Sequence, residues 1–301
     1  MARFRLEVGS ATDVGRQRQR NEDSFAVFVP QNGELNPSQL AGLILVADGM
    51  GGERAGDRAS RMAAEQLRQT FSSGAYRSWP ECSGEHALES ALVRAIREVS
   101  AAIFKVGDGD PTIRGLGSTV VVAAMTSRHM VLAHVGDSRC YLIRGSEIDQ
   151  LTSDHSWVQR QVDAGYISAA DARRHPQRNI LIRSLGDALP PEVDVRTVEL
   201  EDGDLFVLCS DGLTGGVSDE EILQFTSYFR NPQQLADALV RLANDKDGSD
   251  NITVVVGRCK ADDGKAMAQI DTHPTHRIEL SEIYDGDTQT DISAPPDLRR
   301  R

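Results

Sequence analysis

The chain has 301 residues, a formal net charge of −12 and 26% charged side chains, enough length for one large domain or two smaller ones. Its acidity, without a dense Lys/Arg block, argues against a nucleic-acid or anionic-membrane surface, which would bind through cationic contacts. No apolar run reaches the roughly 20 residues of a membrane span, and the start MARFRLEVGS lacks a signal-peptide core.

In chain order, residues 4–8 and 24–29 read as short strands around the polar segment ATDVGRQRQRNED. LAGLILVAD is a buried strand that ends in an acid. Residues 57–71 take helical spacing, with Ala59, Met62, Ala63, Leu67 and Phe71 on one face and Asp57 as N-cap. A second helix at 85–104 aligns Leu88, Leu92, Ile96, Val99 and Ile103. Strands follow in STVVVAAM, HMVLAHVG, RCYLIRG and EIDQLT. The polar span 157–179, partly helical, interrupts the series and reads as an inserted flap. Strands resume at 193–200 and 205–209. Helices at 219–229 and 232–244 come next, the second started by Asn231-Pro232. The last strand is 252–257. Neighbouring strands without intervening helices predict antiparallel sheets, covered by the helical pairs in a layered α/β arrangement.

The four cysteines, Cys82, Cys140, Cys209 and Cys259, show no Cys-x-x-Cys spacing, and Cys140 and Cys209 sit in apolar runs. Neither a zinc site nor a disulfide framework is expected, and the chain reads as a soluble protein of a reducing compartment. From about residue 260 the chain turns polar, rich in Asp, Thr and Pro, and reads as a tail without a fold.

An Asp after a strand is ordinarily a turn former, because its side chain can bond its own backbone. Here Asp48, Asp137 and Asp211 each close an apolar strand and Asp250 opens another. Strands of one core can bring such ends to a common rim. Clustered carboxylates repel unless neutralised, and hard oxygen donors favour Mg²⁺, Mn²⁺ or Ca²⁺. Gly49 and Gly212 allow close backbone approach. Glu22 and Asp23 form a second acidic group, preceded by alternating Arg16, Arg18 and Arg20, which in an extended segment would share a face. Their guanidinium groups suit either a solvated strand edge or a phosphate. A metal pair beside an arginine serves attack by water on phosphorus.

These segments resemble the PPM family of metal-dependent Ser/Thr protein phosphatases, the type 2C class in its bacterial form. TDVGRQRQRNEDSF and LILVADGMGG resemble the family's first motifs, and LGSTVVVA, VGDSRCYLIR, LTSDHSWV, RNILIRSLG, VLCSDGL and SDNITVVV follow in the family's order. The resemblance covers about 10–257. It implies an α+β fold, a four-layer α/β/β/α sandwich of two antiparallel sheets flanked by helix pairs, with a catalytic domain at 1–258, a flap at about 156–180 and the tail at 259–301. It implies two Mn²⁺ or Mg²⁺ ions bridged by Asp48. Asp211 and Asp250 would serve the first ion; Glu22 and the Gly49 carbonyl would serve the second, with Asp23 behind them. Asp137, with Asp211, matches the acids of a weaker third ion. Arg18 matches the phosphate-gripping arginine, and Arg16 and Arg20 do not. A metal-bridging water would make the in-line attack on phosphoserine or phosphothreonine, so Ser138 and Ser210 are not nucleophiles.

Met50 stands where eukaryotic members carry His, and Glu53 where many bacterial members do, so the proton donor is unassigned; His155 is a candidate helper or a local cap. The competing readings are a metal-dependent phosphodiesterase and a phosphoprotein-binding pseudophosphatase. No Gly-x-Ser-x-Gly elbow or P-loop occurs. Expected partners are phosphorylated proteins and a cognate Ser/Thr kinase or phosphothreonine-binding domain, the latter docking on the tail if Thr288, which has Asp291 three residues on, is phosphorylated. No nucleic acid or membrane partner is expected.

Overall fold

The computed structural model describes residues 4–30, 39–51, 55–80, 82, 86–113 and 115–261. Chain order runs β1 (Phe4–Asp13), β2 (Asp23–Phe28), β3 (Gly42–Met50), α1 (Gly56–Ser72), α2 (Ala87–Asp108), β4 (Gly117–Ser118), β5 (Val120–Met125), β6 (His129–Val135), β7 (Arg139–Arg144) and β8 (Glu147–Gln150). It continues with α3 (Trp157–Asp163), α4 (Ala169–Arg174), β9 (Asp194–Glu199), β10 (Leu205–Cys209), α5 (Asp211–Thr214), α6 (Asp219–Tyr228), α7 (Pro232–Lys246) and β11 (Ile252–Ala261).

Two antiparallel sheets result. One has the order β1-β11-β10-β7-β8, the other β2-β3-β5-β6-β9 with β4 paired to β3. Along β3 the side chains alternate between two cores. Leu43, Leu45 and Ala47 join Leu67, Phe71, Leu92 and Ile96 of α1 and α2. Ile44 and Val46 join Phe206, Leu208 and Val255 in the layer between the sheets. Both faces of the strand are therefore buried, which is why LILVA and VVVAAM read as unbroken apolar runs despite their antiparallel pairing. On the far side, α7 packs on β1 and β11 and α6 packs on α7. The arrangement is the expected four-layer α+β sandwich. Truncating a fully buried residue such as Phe206 to Ala would cost about 3–5 kcal/mol.

Several local expectations change. Residues 11–13, read as part of a polar connector, extend β1, because Asp13 still pairs with Ile252 and β1 is a sheet edge that tolerates polar side chains. The last strand, expected to end at residue 257, continues to Ala261, where it pairs with Phe4. Residues 259–261, assigned to the tail, thus lie in the sheet. Asp57 is not the N-cap of α1. That position is Ala55, and Asp57 sits in the first turn, 3.1 Å from Arg61. Asn231 does cap α7, accepting from the Gln233 and Gln234 amides. Thr288, Thr290 and the rest of the tail lie outside the described residues, as does Glu53.

Candidate metal centre

The acids converge because the strands that carry them end at one rim. Asp23 opens β2 and lies directly opposite Asp48 on β3. Asp211 follows β10 after a single residue, Ser210, and begins α5, while Asp250 precedes β11, the antiparallel partner of β10. Asp137 occupies the turn from β6 to β7. Glu22, Asp48, Gly49, Asp137, Asp211, Asp250 and Arg18 all line one cavity of about 530 Å³, together with Met50, Thr119, Arg183 and Asn251. Asp23 stands behind the cavity wall, its Oδ2 accepting from Ser210 Oγ at 2.7 Å.

Crowding and burial set the electrostatics. Burial pushes the Asp48 carboxyl well above the usual range, and Asp23, Asp211, Asp137 and Asp250 add to it. Burial lifts Asp23 to about 7 against the hydrogen bonds of Ser210 and Thr253, and with help from Asp250 it lifts Asp211 to about 6. Asp137 is raised by burial and by Asp211. Glu22 is raised by burial, with Arg18 opposing. Such a cluster is costly to ionise without a cation.

Two observations test whether a metal fits. Among the described residues, Asp23 Oδ1 and Asp211 Oδ1 are buried without a hydrogen-bond partner, the state of an oxygen acceptor open to a cation. A side chain at Gly56 would sit 2.8 Å from both the Gly49 carbonyl oxygen and the Glu22 carboxyl carbon, so these two groups flank one space that glycine leaves open. All the donors are hard oxygens, which suits Mn²⁺ or Mg²⁺. The close approach inferred for Gly49 and Gly212 is also present. A Cβ on Gly49 would lie 2.1 Å from Gly56 O, and one on Gly212 2.0 Å from Asn251 O.

The arginines do not share a face, because residues 14–22 form a loop rather than a strand. Arg18 Nη2 donates to Asp250 Oδ2 at 2.7 Å, whereas Arg16 lies 3.5 Å from Asp245 on α7. Although partial burial opposes it, the acids around Arg18, Asp250 foremost, hold its pKa above the ordinary value, so it stays charged.

The sequence reading missed the supports. Asn251 Nδ2 donates to Val14 O at 2.9 Å and Arg20 O at 2.8 Å, and its Oδ1 accepts from the Glu22 amide at 2.8 Å. One buried amide thus shapes the loop that carries Arg18 and Glu22. Thr119 Oγ1 accepts from the Asp48 amide at 3.0 Å and shares a 2.7 Å hydrogen bond with Ser138. The Asn beside Asp250 in SDNITVVV was the available signal; nothing local marked Thr119. The two serines set aside as nucleophiles act as hydrogen-bonding partners.

A groove of about 420 Å³ shares Asp137, Asp211 and Asp250 with the cavity and continues between flap residues Gln159 and Arg173 and residues 214–219. Arg139 on its wall grips Asp154 through two bonds of 2.8 and 2.6 Å. Among the described residues no histidine lines the cavity. No helix among the described residues is long and apolar enough to cross a membrane.

The family model described as protein phosphatase 2C matches residues 14–244. The "Serine/threonine phosphatase stp" of Listeria monocytogenes is 39% identical over 245 residues, 81% of this chain and 92% of that protein. Among solved structures, Stp1 from Staphylococcus aureus is 32% identical with a TM-score of 0.74, covering 84% of this chain and 94% of that one. The catalytic domain of PstP in complex with two manganese ions is 32% identical with a TM-score of 0.70, covering 85% of this chain and 99% of that one.

Proposed function

The chain belongs to the protein phosphatase 2C family, and from that premise we propose that the rim of acids beside Arg18 hydrolyses phosphoserine and phosphothreonine in proteins. It is a Mn²⁺- or Mg²⁺-dependent serine/threonine phosphatase. The observation that carries the assignment of the site is the convergence of Glu22, Asp48, Asp137, Asp211, Asp250 and Arg18 on one cavity.

Asp48, Asp211 and Asp250 would hold one ion; Asp48, Glu22 and the Gly49 carbonyl would hold the other. Asp137, with Asp211, would take a weaker third. When bound, such ions supply Lewis acidity toward phosphoryl oxygens and acidify water. The chain's own residues do the rest. Arg18 spends one of its five N–H donors on Asp250 and has others for a phosphate, which a guanidinium can grip bidentately. Ser210 holds Asp23, and Asp23 sets the local charge behind Asp48. Asn251 fixes the height of the Arg18 loop.

The complete set of acids favours turnover over a binding-only pseudophosphatase. We also place the protein in the cytoplasm, opposing a bacterial Ser/Thr kinase in signal transduction, a reading supported by bacterial relatives named as Ser/Thr phosphatases. The test is release of phosphate from a phosphothreonine peptide with added Mn²⁺. Turnover is expected in the wild type and none in Asp48→Asn. A folded, metal-loaded wild type that releases no phosphate contradicts the proposal.

A further inference from the structure

His155 belongs to the motif LTSDHSWV and was a candidate helper or cap. The helix cap is Ser156, and His155 is 5% exposed and lines neither the cavity nor the groove. It is bonded instead to two walls of the cavity. Its amide donates to Gly136 O at 3.0 Å, and the Gly136 amide donates to its Nδ1 at 3.1 Å. Its carbonyl accepts from the Ile182 amide at 2.8 Å. Because Nδ1 accepts, the neutral ring carries its proton on Nε2, which lies 3.4 Å from Asp194 Oδ2. Asp194 Oδ1 accepts from Arg183 at 2.8 Å, and Arg183 lines the cavity. The His134 ring stacks on His155 with centroids 4.6 Å apart.

Gly136 precedes Asp137 and has φ +109°, a value that side-chain-bearing residues rarely adopt. Its turn has little regular structure of its own, so an outside hold decides where Asp137 points. His134, His155 and Asp194 also offer ligand atoms within 4.8 Å of one another. The Arg183 guanidinium, 3.1 Å from His155 Nε2, occupies that space and would repel a dication. The cluster is a clamp rather than an ion site.

We propose that His155 is a positioning residue, whose Nδ1 holds the Gly136 amide and thereby sets the place of the Asp137 carboxylate in the cavity. This rests on the phosphatase reading above, with Asp137 serving the weaker ion.

Three full-length variants separate the contacts. His155→Asn keeps an acceptor at the place of Nδ1; His155→Gln keeps reach toward Asp194 without it; His155→Ala removes both. The measurements are hydrogen exchange of the Gly136 amide, calorimetric Mn²⁺ binding, and kcat and KM on a phosphothreonine peptide. In the Gln and Ala variants Gly136 exchanges about tenfold faster or more. Their weakest Mn²⁺ binding and their kcat fall about 10–100-fold while KM moves less, and Asn stays within about threefold of wild type. Wild-type Mn²⁺ binding and kcat in the Gln variant, or an Asn variant as impaired as Gln, overturn the proposal. If Ala does not fold, the Asn–Gln pair decides. Asp48→Asn, run alongside, reports separately on the phosphatase reading: if it turns over, that reading fails whatever His155 does.

Discussion

Arg18 donates to Asp250 across 2.7 Å although the two residues are 232 positions apart. The cation that would meet a phosphate is thus held in place by one of the acids that would hold a metal. Both side chains are partly exposed, so the pair contributes little to stability, and its value lies in preorganisation. Replacing Arg18 by Lys keeps the charge but loses the planar fork. Arg18→Lys is expected to lower kcat/KM on a phosphothreonine peptide about 10-fold and Arg18→Ala about 100-fold, with Tm nearly unchanged. Steady-state kinetics alongside thermal melts will check this. A wild-type kcat/KM in Arg18→Ala would remove it from the site.

Asp48→Asn should separate activity from stability. The buried carboxyl is disfavoured as an anion by burial and four neighbouring acids. The amide removes that repulsion, so the metal-free variant should melt higher than the metal-free wild type, by about 2–4 °C for each kcal/mol relieved. Turnover should disappear, and added Mn²⁺ should no longer raise Tm. Calorimetry in EDTA and in Mn²⁺ gives both numbers.

The acid rim also predicts how metal-free stability follows pH. Asp23 and Asp211 titrate near 7 and 6 when folded, against 3.8 in the unfolded chain. The folded state therefore binds more protons between pH 4 and 7. Their stabilising contribution is full below about pH 4 and is lost as pH rises through 6 to 7. His155, held near 4 mainly by burial, works the other way and weakens the fold as pH drops from 6.5 to 4. Comparing wild type with Asp211→Asn isolates the acid. Urea unfolding in EDTA should show the variant losing less stability from pH 4 to 6, by up to about 1.4 kcal/mol per pH unit. Parallel pH profiles in the two proteins would contradict the shift. Saturating Mn²⁺ should reverse the wild-type trend, because deprotonated acids bind it.

Asn251→Ala tests the support of the loop. Three hydrogen bonds are lost and their backbone partners are left behind in a half-buried place. A loss of about 2–3 kcal/mol in unfolding free energy is expected, with kcat/KM down about 10–100-fold. Asn251→Asp keeps the acceptor for the Glu22 amide but sets a carboxylate oxygen against the Val14 and Arg20 carbonyls beside the acid rim, so it should lose at least as much as Ala. Urea melts and turnover of the three proteins form the comparison.

Much of the fold was legible because burial on both faces writes a strong signal. LILVA and VVVAAM could only be interior strands, and the stripes of α1 and α2 appear in the cores where periodicity put them. The edges were harder. Thr12 and Asp13 are polar yet belong to the edge strand β1, and Lys260 belongs to β11 through its pairing with β1, since backbone pairing selects a strand end as much as apolar content does. The loop at 14–22 misled because alternation implies a shared face only if the chain is extended.

By itself the sequence determined the chemistry on offer: hard carboxylates placed at strand ends, glycines beside them, and an arginine a few residues upstream of Glu22. Those follow from residue type and local order, which a linear reading retains. Tertiary structure alone decided that Arg18 rather than Arg16 meets Asp250, that Asn251 holds a loop more than 200 positions away, and that His155 grips Gly136 from behind the wall. Each is a side-chain hydrogen bond between distant segments. Such bonds depend on where packed layers bring atoms to within about 3 Å, and no periodicity or spacing along the chain encodes that distance.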